Sequence, residues 1–142
     1  MFEKIFNKKK KEENIDNENI LIASLLVHAA KIDEKYTANE KEIIKKALID
    51  LKLIDTSKCD ELLKQAEEKE KNSNQILEFT REIKKTPMEF RFKIIEILWK
   101  IIYSDLVADS YESNLIRRIC GLIYVSDKDS GEIRVKVKSH NK

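Results

Sequence analysis

Asp33-Glu34-Lys35-Tyr36-Thr37-Ala38-Asn39-Glu40 is echoed 72 residues later by Asp105-Leu106-Val107-Ala108-Asp109-Ser110-Tyr111-Glu112. In each stretch an Asp opens and a Glu seven residues on closes, and apolar positions on both sides keep the same offset. Ile22 is answered by Ile94, Leu25 by Ile97 and Leu26 by Leu98; beyond the loop, Ile43 and Ile44 are answered by Leu115 and Ile116, and Leu51 by Ile123. Acidic loops and apolar positions that move together at one offset mark a duplicated unit of helix, acidic loop and helix. Two copies predict a pseudo-symmetric domain and not a solenoid, which needs at least three.

The bulk composition agrees with an all-α chain. Its 142 residues suit one domain, and 2 Gly and 1 Pro are too few for the turns of an all-β fold. Charged residues make up 38% of the chain, but the apolar ones arrive in periodic blocks, unlike those of a disordered segment. The net charge of +2 is unevenly spread: both ends are rich in Lys and the body is mildly acidic. That distribution lacks the basic stripe on a folded face that nucleic-acid binding calls for. Cys59 and Cys120 have no CxxC or His spacing around them and read as reduced thiols. The apolar block Ile20 to Ala30 is about half of the ~20 residues a membrane span needs, and no leader pattern opens the chain. A soluble, cytoplasmic protein is expected.

Six helices can be read along the chain. An Asp16 or Asn17 cap starts the first, which runs to about Ile32 and is apolar nearly all round, as befits the centre of a bundle. Thr37 and Glu40 form a capping box that starts the second, through about Leu51. The third starts at Thr56 or Ser57; its thin stripe of Leu62, Leu63 and Ala66, followed by the charged run Glu67 to Lys71, places it on the outside. Ser73 opens the fourth, with Ile76, Leu77, Phe79, Thr80 and Ile83 facing inward. Thr86, Pro87 and Glu89 read as N-cap, first-turn proline and returning carboxylate for a fifth, again buried, to about Ser104. Asp109 and Glu112 repeat the box for a sixth, through about Tyr124. Residues 126–142 are polar and basic, and Arg134 to Lys138 alternates like a strand without a partner. The organisation expected is a basic N-terminal arm (1–15), a helical domain (16–126) and a basic C-terminal tail (127–142).

The repeated acids admit two readings. In the first they are structural: each Glu is the third residue of a capped helix and each Asp ends the preceding one, where the dipole favours anions by roughly 0.3 to 1 kcal/mol. In the second, the pseudo-two-fold axis brings both loops to one edge, and Asp33, Glu40, Asp105 and Glu112 gather as oxygen ligands for a hard divalent cation, calcium or magnesium, or as a dock for a protein partner. The EF-hand pattern is absent. No Cys-His or Ser-His constellation and no phosphate-cradling glycine loop is present, so no catalytic activity is expected. His28 is answered by Lys100 and reads as a polar edge; Trp99 and Tyr103 read as core and rim aromatics. Phe2, Ile5 and Phe6 beside Lys8 to Lys11 could touch an anionic inner-membrane surface, which gives a peripheral membrane-associated scaffold or co-chaperone-like accessory as the alternative. A homodimer is left open.

Asp105, Tyr111 and Glu112, followed by Leu115, Ile116, Arg117, Arg118 and Ile119, resemble the second half of the tellurite-resistance protein B (TerB-like) family. Its characteristic stretch is an Ala-Asp-Gly loop, a Tyr-Glu pair and a Leu-Ile-Arg-Arg-Ile helix. Ala29 to Glu40 is similar to the family's other acidic loop, and the likeness runs from about Ile20 to Ser126, through Phe79-Thr80-Arg81 and Arg91. The family's glycine after each Asp is replaced by Glu34 and Leu106, and the alanine before it by Ile32 and Ser104. The resemblance implies an all-helical domain of two pseudo-symmetric sets, whose acidic residues have been proposed to bind metal ions or partners. It also implies a setting in bacterial stress and tellurite-resistance systems. A similar domain stands beside J-domains in membrane-linked co-chaperones, but this chain has no His-Pro-Asp motif.

Overall fold

A helix that is apolar on nearly every side must be surrounded by others, and two such helices set the architecture. The computed structural model describes residues 15–32, 36–73, 76–104 and 110–140, the side chains of 110–113 and 140 excepted. These residues form seven α-helices: α1 (Asn17–Ala30), α2 (Ala38–Asp50), α3 (Cys59–Lys71), α4 (Leu77–Lys84), α5 (Met88–Tyr103), α6 (Ser110–Ile123) and α7 (Asp127–His140). α1 buries every residue from Leu21 to Val27, and α5 buries Ile94, Ile95 and all of Ile97 to Tyr103 except Lys100. These two pack on each other, and one apolar core joins residues from all seven helices. The buried Ser24 is accommodated because its hydroxyl donates to Ile20 O at 2.6 Å within its own helix.

The sequence repeat is a structural repeat, and it extends further than the loops. The 72-residue offset lays α1 on α5, α2 on α6 and α3 on the stretch that forms α7. α2 and α3 pack on α1, and α6 and α7 pack on α5; α4, which buries Phe79, Thr80 and Ile83, packs on both α1 and α6. Lys52 and Tyr124, one offset apart, are the positive-φ residues among those described, at 61° and 60°. Each ends a helix in the same way: Leu53 N–H donates to Leu48 O at 3.1 Å and Val125 N–H to Cys120 O at 2.9 Å, the six-residue closure of a Schellman ending. Asn19 Nδ2 reaches Leu53 O at 2.8 Å, and one offset later Arg91 Nη1 reaches Ile123 O at 3.0 Å. In both halves the first turn of the central helix is tied to the end of the helix beyond the acidic loop.

The helix boundaries follow the sequence reading except at three caps and at the C-terminus. The first two helices start as expected, with Asp16 accepting from Glu18 N–H and with the full Thr37–Glu40 box. The third starts earlier: Asp55, not Thr56 or Ser57, accepts from Lys58 N–H and caps a 3-10 turn (Thr56–Lys58) that leads into α3. The fourth helix begins at Leu77, four residues after Ser73. The Thr86–Glu89 box does not form. Thr86 Oγ1 instead donates to Ile83 O at 2.6 Å, closing α4, and Pro87 takes the N-cap position, which moves Glu89 one place too early to reach back. The Asp109 half of the last box lies outside the described residues, as does the arm over residues 1–14.

The stretch read as a tail is helix α7. Ile133, Val135 and Val137 alternate, but only Ile133 and Val137, four apart, turn inward, while Val135 is 67% exposed. A Gly within the helix costs about 1 kcal/mol and each Val a few tenths relative to Ala. Burying Val137 returns about 1.5 kcal/mol or more, and α7 adds the hydrogen bond from Trp99 Nε1 to Ser130 Oγ at 3.2 Å. Tertiary packing outweighs local propensity here. No helix among the described residues is long and apolar enough to cross a membrane.

The left-handed positions give a direct stability test. An L side chain there costs about 1 to 2 kcal/mol, whereas Gly adopts it freely at the expense of unfolded-state entropy. Lys52→Gly should therefore be neutral or up to about 1 kcal/mol more stable, and Lys52→Val less stable by about 1 kcal/mol, in urea unfolding. The opposite order would show that position 52 is not left-handed.

Candidate functional site

The first acidic loop is gripped at both ends by α3. At its start, Lys31 Nζ lies 2.9 Å from Glu70 Oε2 and His28 Nδ1 lies 3.3 Å from Glu70 Oε1. At its end, Lys41 sits 4.8 Å over the Tyr36 ring and 3.5 Å from Glu67 Oε2. Thr37 N–H and Thr37 Oγ1 both donate to Glu40 Oε1, at 2.9 and 3.1 Å, while Glu40 N–H donates to Thr37 Oγ1. The helical spacing explains the grip: Leu62, Leu63 and Ala66 of α3 are buried, α3 packs on α1, and Glu67 and Glu70 follow one turn later on the same side.

Glu40, Glu67 and Glu70 thereby converge on one phenol. The Tyr36 hydroxyl is buried, close to the Glu67 carboxylate but without a well-formed hydrogen bond. Burial first, then Glu67, Glu40 and Glu70, push its pKa well above the usual tyrosine range, because phenolate would be both desolvated and repelled. The same position in the second half has another chemistry. Tyr103, one offset after Lys31, accepts a 2.6 Å hydrogen bond from Arg134 Nε of α7, and the Arg134 guanidinium lies 4.9 Å over the Trp99 ring. Trp99 and Tyr103 stack at 5.9 Å. In each half the third helix holds the start of the acidic loop, with an acid on α3 and a base on α7.

Of the four expected cation ligands, Asp33 and Asp105 lie outside the described residues. Glu40 is buried and serves its capping box, and Glu112 lies in the first turn of α6. No group of three or more His, Cys, Asp or Glu that could hold a metal ion occurs among the described residues. Glu67 and Glu70 were hidden in a run that reads as a solvated charge cluster; the signal available was their place one turn beyond the buried stripe. Cys59 and Cys120 are buried, and burial raises both thiols, which makes them poor nucleophiles.

The sequence pattern of the family described as tellurite resistance protein TerB matches residues 19–135. The chain belongs to the TerB family. That match covers all of α1 to α6 but the first two residues of α1, and it runs into α7 as far as residue 135, so it includes the first part of the segment read as a tail. Comparison with curated proteins and with solved structures gave no match.

Tyr36 makes the site testable by pH. The unfolded chain releases this phenolic proton near pH 10, whereas the fold retains it to higher pH. The folded state then binds more protons than the unfolded one, so stability falls as pH rises beyond about 10. Tyr36→Phe should be as stable as the parent near neutrality and lose less stability between about pH 9 and 11 in urea titrations. Parallel losses would remove the phenol from the site.

Proposed function

We propose that this TerB-family chain is a non-catalytic adaptor whose first acidic loop, with the carboxylates at its foot, receives a cationic partner. The reading rests on one observation above the others: Glu40, Glu67 and Glu70 come from two helices to the buried hydroxyl of half-buried Tyr36, beside a loop that itself carries Asp33 and Glu34. Carboxylates held this close repel one another unless cations stand among them. Lys31 and Lys41 supply that balance. A basic protein segment extends the same chemistry outward from the loop. A divalent cation, calcium or magnesium, held by Asp33, Glu40, Asp105 and Glu112, is the alternative occupant. Membership of the TerB family supports, as part of this reading, a cytoplasmic adaptor role in a bacterial stress or tellurite-resistance setting.

Calorimetry separates the occupants. The full chain is titrated with a lysine-rich peptide and, separately, with calcium and magnesium chloride. The peptide is expected to bind, more weakly as salt is raised, and Asp33→Ala with Glu67→Gln should lower its affinity about tenfold, with helicity retained by circular dichroism. Heat at micromolar calcium or magnesium, lost in Asp33→Ala with Asp105→Ala, would assign the loops to the cation instead. No heat from any titrant, or affinities untouched by these substitutions, would refute the adaptor reading.

A further inference from the structure

α2 has a second working side. Lys41 and Lys45 of α2 face α3 through Glu67 and Asp60, while Ile43, Ala47 and Leu51 line an open groove of about 840 Å³ between α2, α5 and α7. Ile97 and Val137 complete its apolar floor, and Lys46, Lys93 and Lys136 stand on its walls. These three lysines are exposed and form no ion pair among the described residues, whereas Lys100 on the same wall lies 3.5 Å from Glu96. Asp50 is the other acid in the lining. The lining runs from Asn39 to Leu51 on α2 and from Lys93 to Ser104 on α5, about 18 and 16 Å at 1.5 Å per residue. That is three turns of helix.

We infer that this groove docks an amphipathic helix of a partner protein, its apolar stripe bordered by Glu and Asp. The apolar floor takes the stripe, and the lysines meet the flanking carboxylates, as in helix-in-groove recognition with complementary charge. Other occupants fit the same walls less well. Nucleic acid would want aromatic platforms and Arg, and the lining has neither. The chain's own residues 1–14 carry Lys4 and Lys8 to Lys11 against Glu3, Glu12 and Glu13, a net charge of the same sign as the walls. A second copy placed groove to groove would oppose lysine to lysine. The site lies on the opposite side of α2 from Lys41, Lys45 and α3, so it stands independently of the reading above.

The test is an NMR titration of the isotope-labelled full chain with an amidated peptide of about 14 residues, Leu at helical spacing and Glu on the flanks. The amides of Ile43, Ala47, Ile97 and Val137 should shift in a saturable way. Lys93→Glu with Lys136→Glu, both surface changes, should weaken binding about tenfold or more, as should raising salt from about 50 to 500 mM. Glu67→Gln with Glu70→Gln should leave the titration unchanged. The inference is overturned if those amides do not move, if a Lys-flanked version of the peptide or a short single-stranded DNA binds as well, or if Glu67→Gln with Glu70→Gln abolishes binding. It is overturned equally if Phe2→Ser with Phe6→Ser shifts the groove amides without peptide, or if sedimentation shows a dimer that the lysine substitutions dissociate.

Discussion

Two helices that are apolar on nearly every side, α1 and α5, are the constraint from which the rest follows. Each fully buried Leu or Ile stabilises the fold by about 1.5 to 3 kcal/mol, and these two helices supply Leu25, Leu26, Ile94, Ile95 and Leu98, all with no measurable exposure. Covering them takes all five remaining helices. Each central helix receives one helix beyond its acidic loop and a third that returns along it, with α4 serving both halves. The acidic loops are thus short links between a buried helix and a covering one, and their ends are fixed because the covering helices are fixed.

Duplication has kept the backbone and reversed the charge. Lys52 and Tyr124 hold the same strained conformation, and Asn19 and Arg91 reach the same helix ending. At the starts of the loops, however, Lys31 faces the carboxylate of Glu70 while Tyr103 faces the guanidinium of Arg134. The covering helix thus supplies an acid, Glu70, on α3 and a base, Arg134, on α7. α2 lies between, matched to α3 by Lys41 and Lys45 and open to the α7 side along its groove.

Much of this was legible in the residues. The single 72-residue offset gave both halves, both central helices and both loops, because burial pattern and capping chemistry repeat together. Thr37 and Glu40 were decisive as a pair: the side chains meet within the first turn and need nothing from elsewhere in the fold. Thr86 and Glu89 have the same spacing yet fail, since a three-residue link to α4 gives the Thr86 hydroxyl a nearer acceptor in Ile83 O. α7 was misread because Ile133, Val135 and Val137 satisfy a period of two as well as of four, and only the α5 surface decides between them. Glu67 and Glu70 were passed over because a charge run carries no sign of which members face a partner. Local chemistry was readable; long-range pairing was not.

The claim on which all of this stands is that α1 and α5 form one core shared by both halves. Native-state hydrogen exchange measures it most directly, amide by amide, as denaturant is raised from zero. The slowest amides of α1 and α5, Leu25, Leu26 and Leu98 among them, are predicted to share one opening free energy equal to that of global unfolding, with buried positions of α7 such as Val137 protected below it. Opening of α5 to α7 as a separate unit, well before α1 to α3, would contradict a shared core and leave two halves that fold apart.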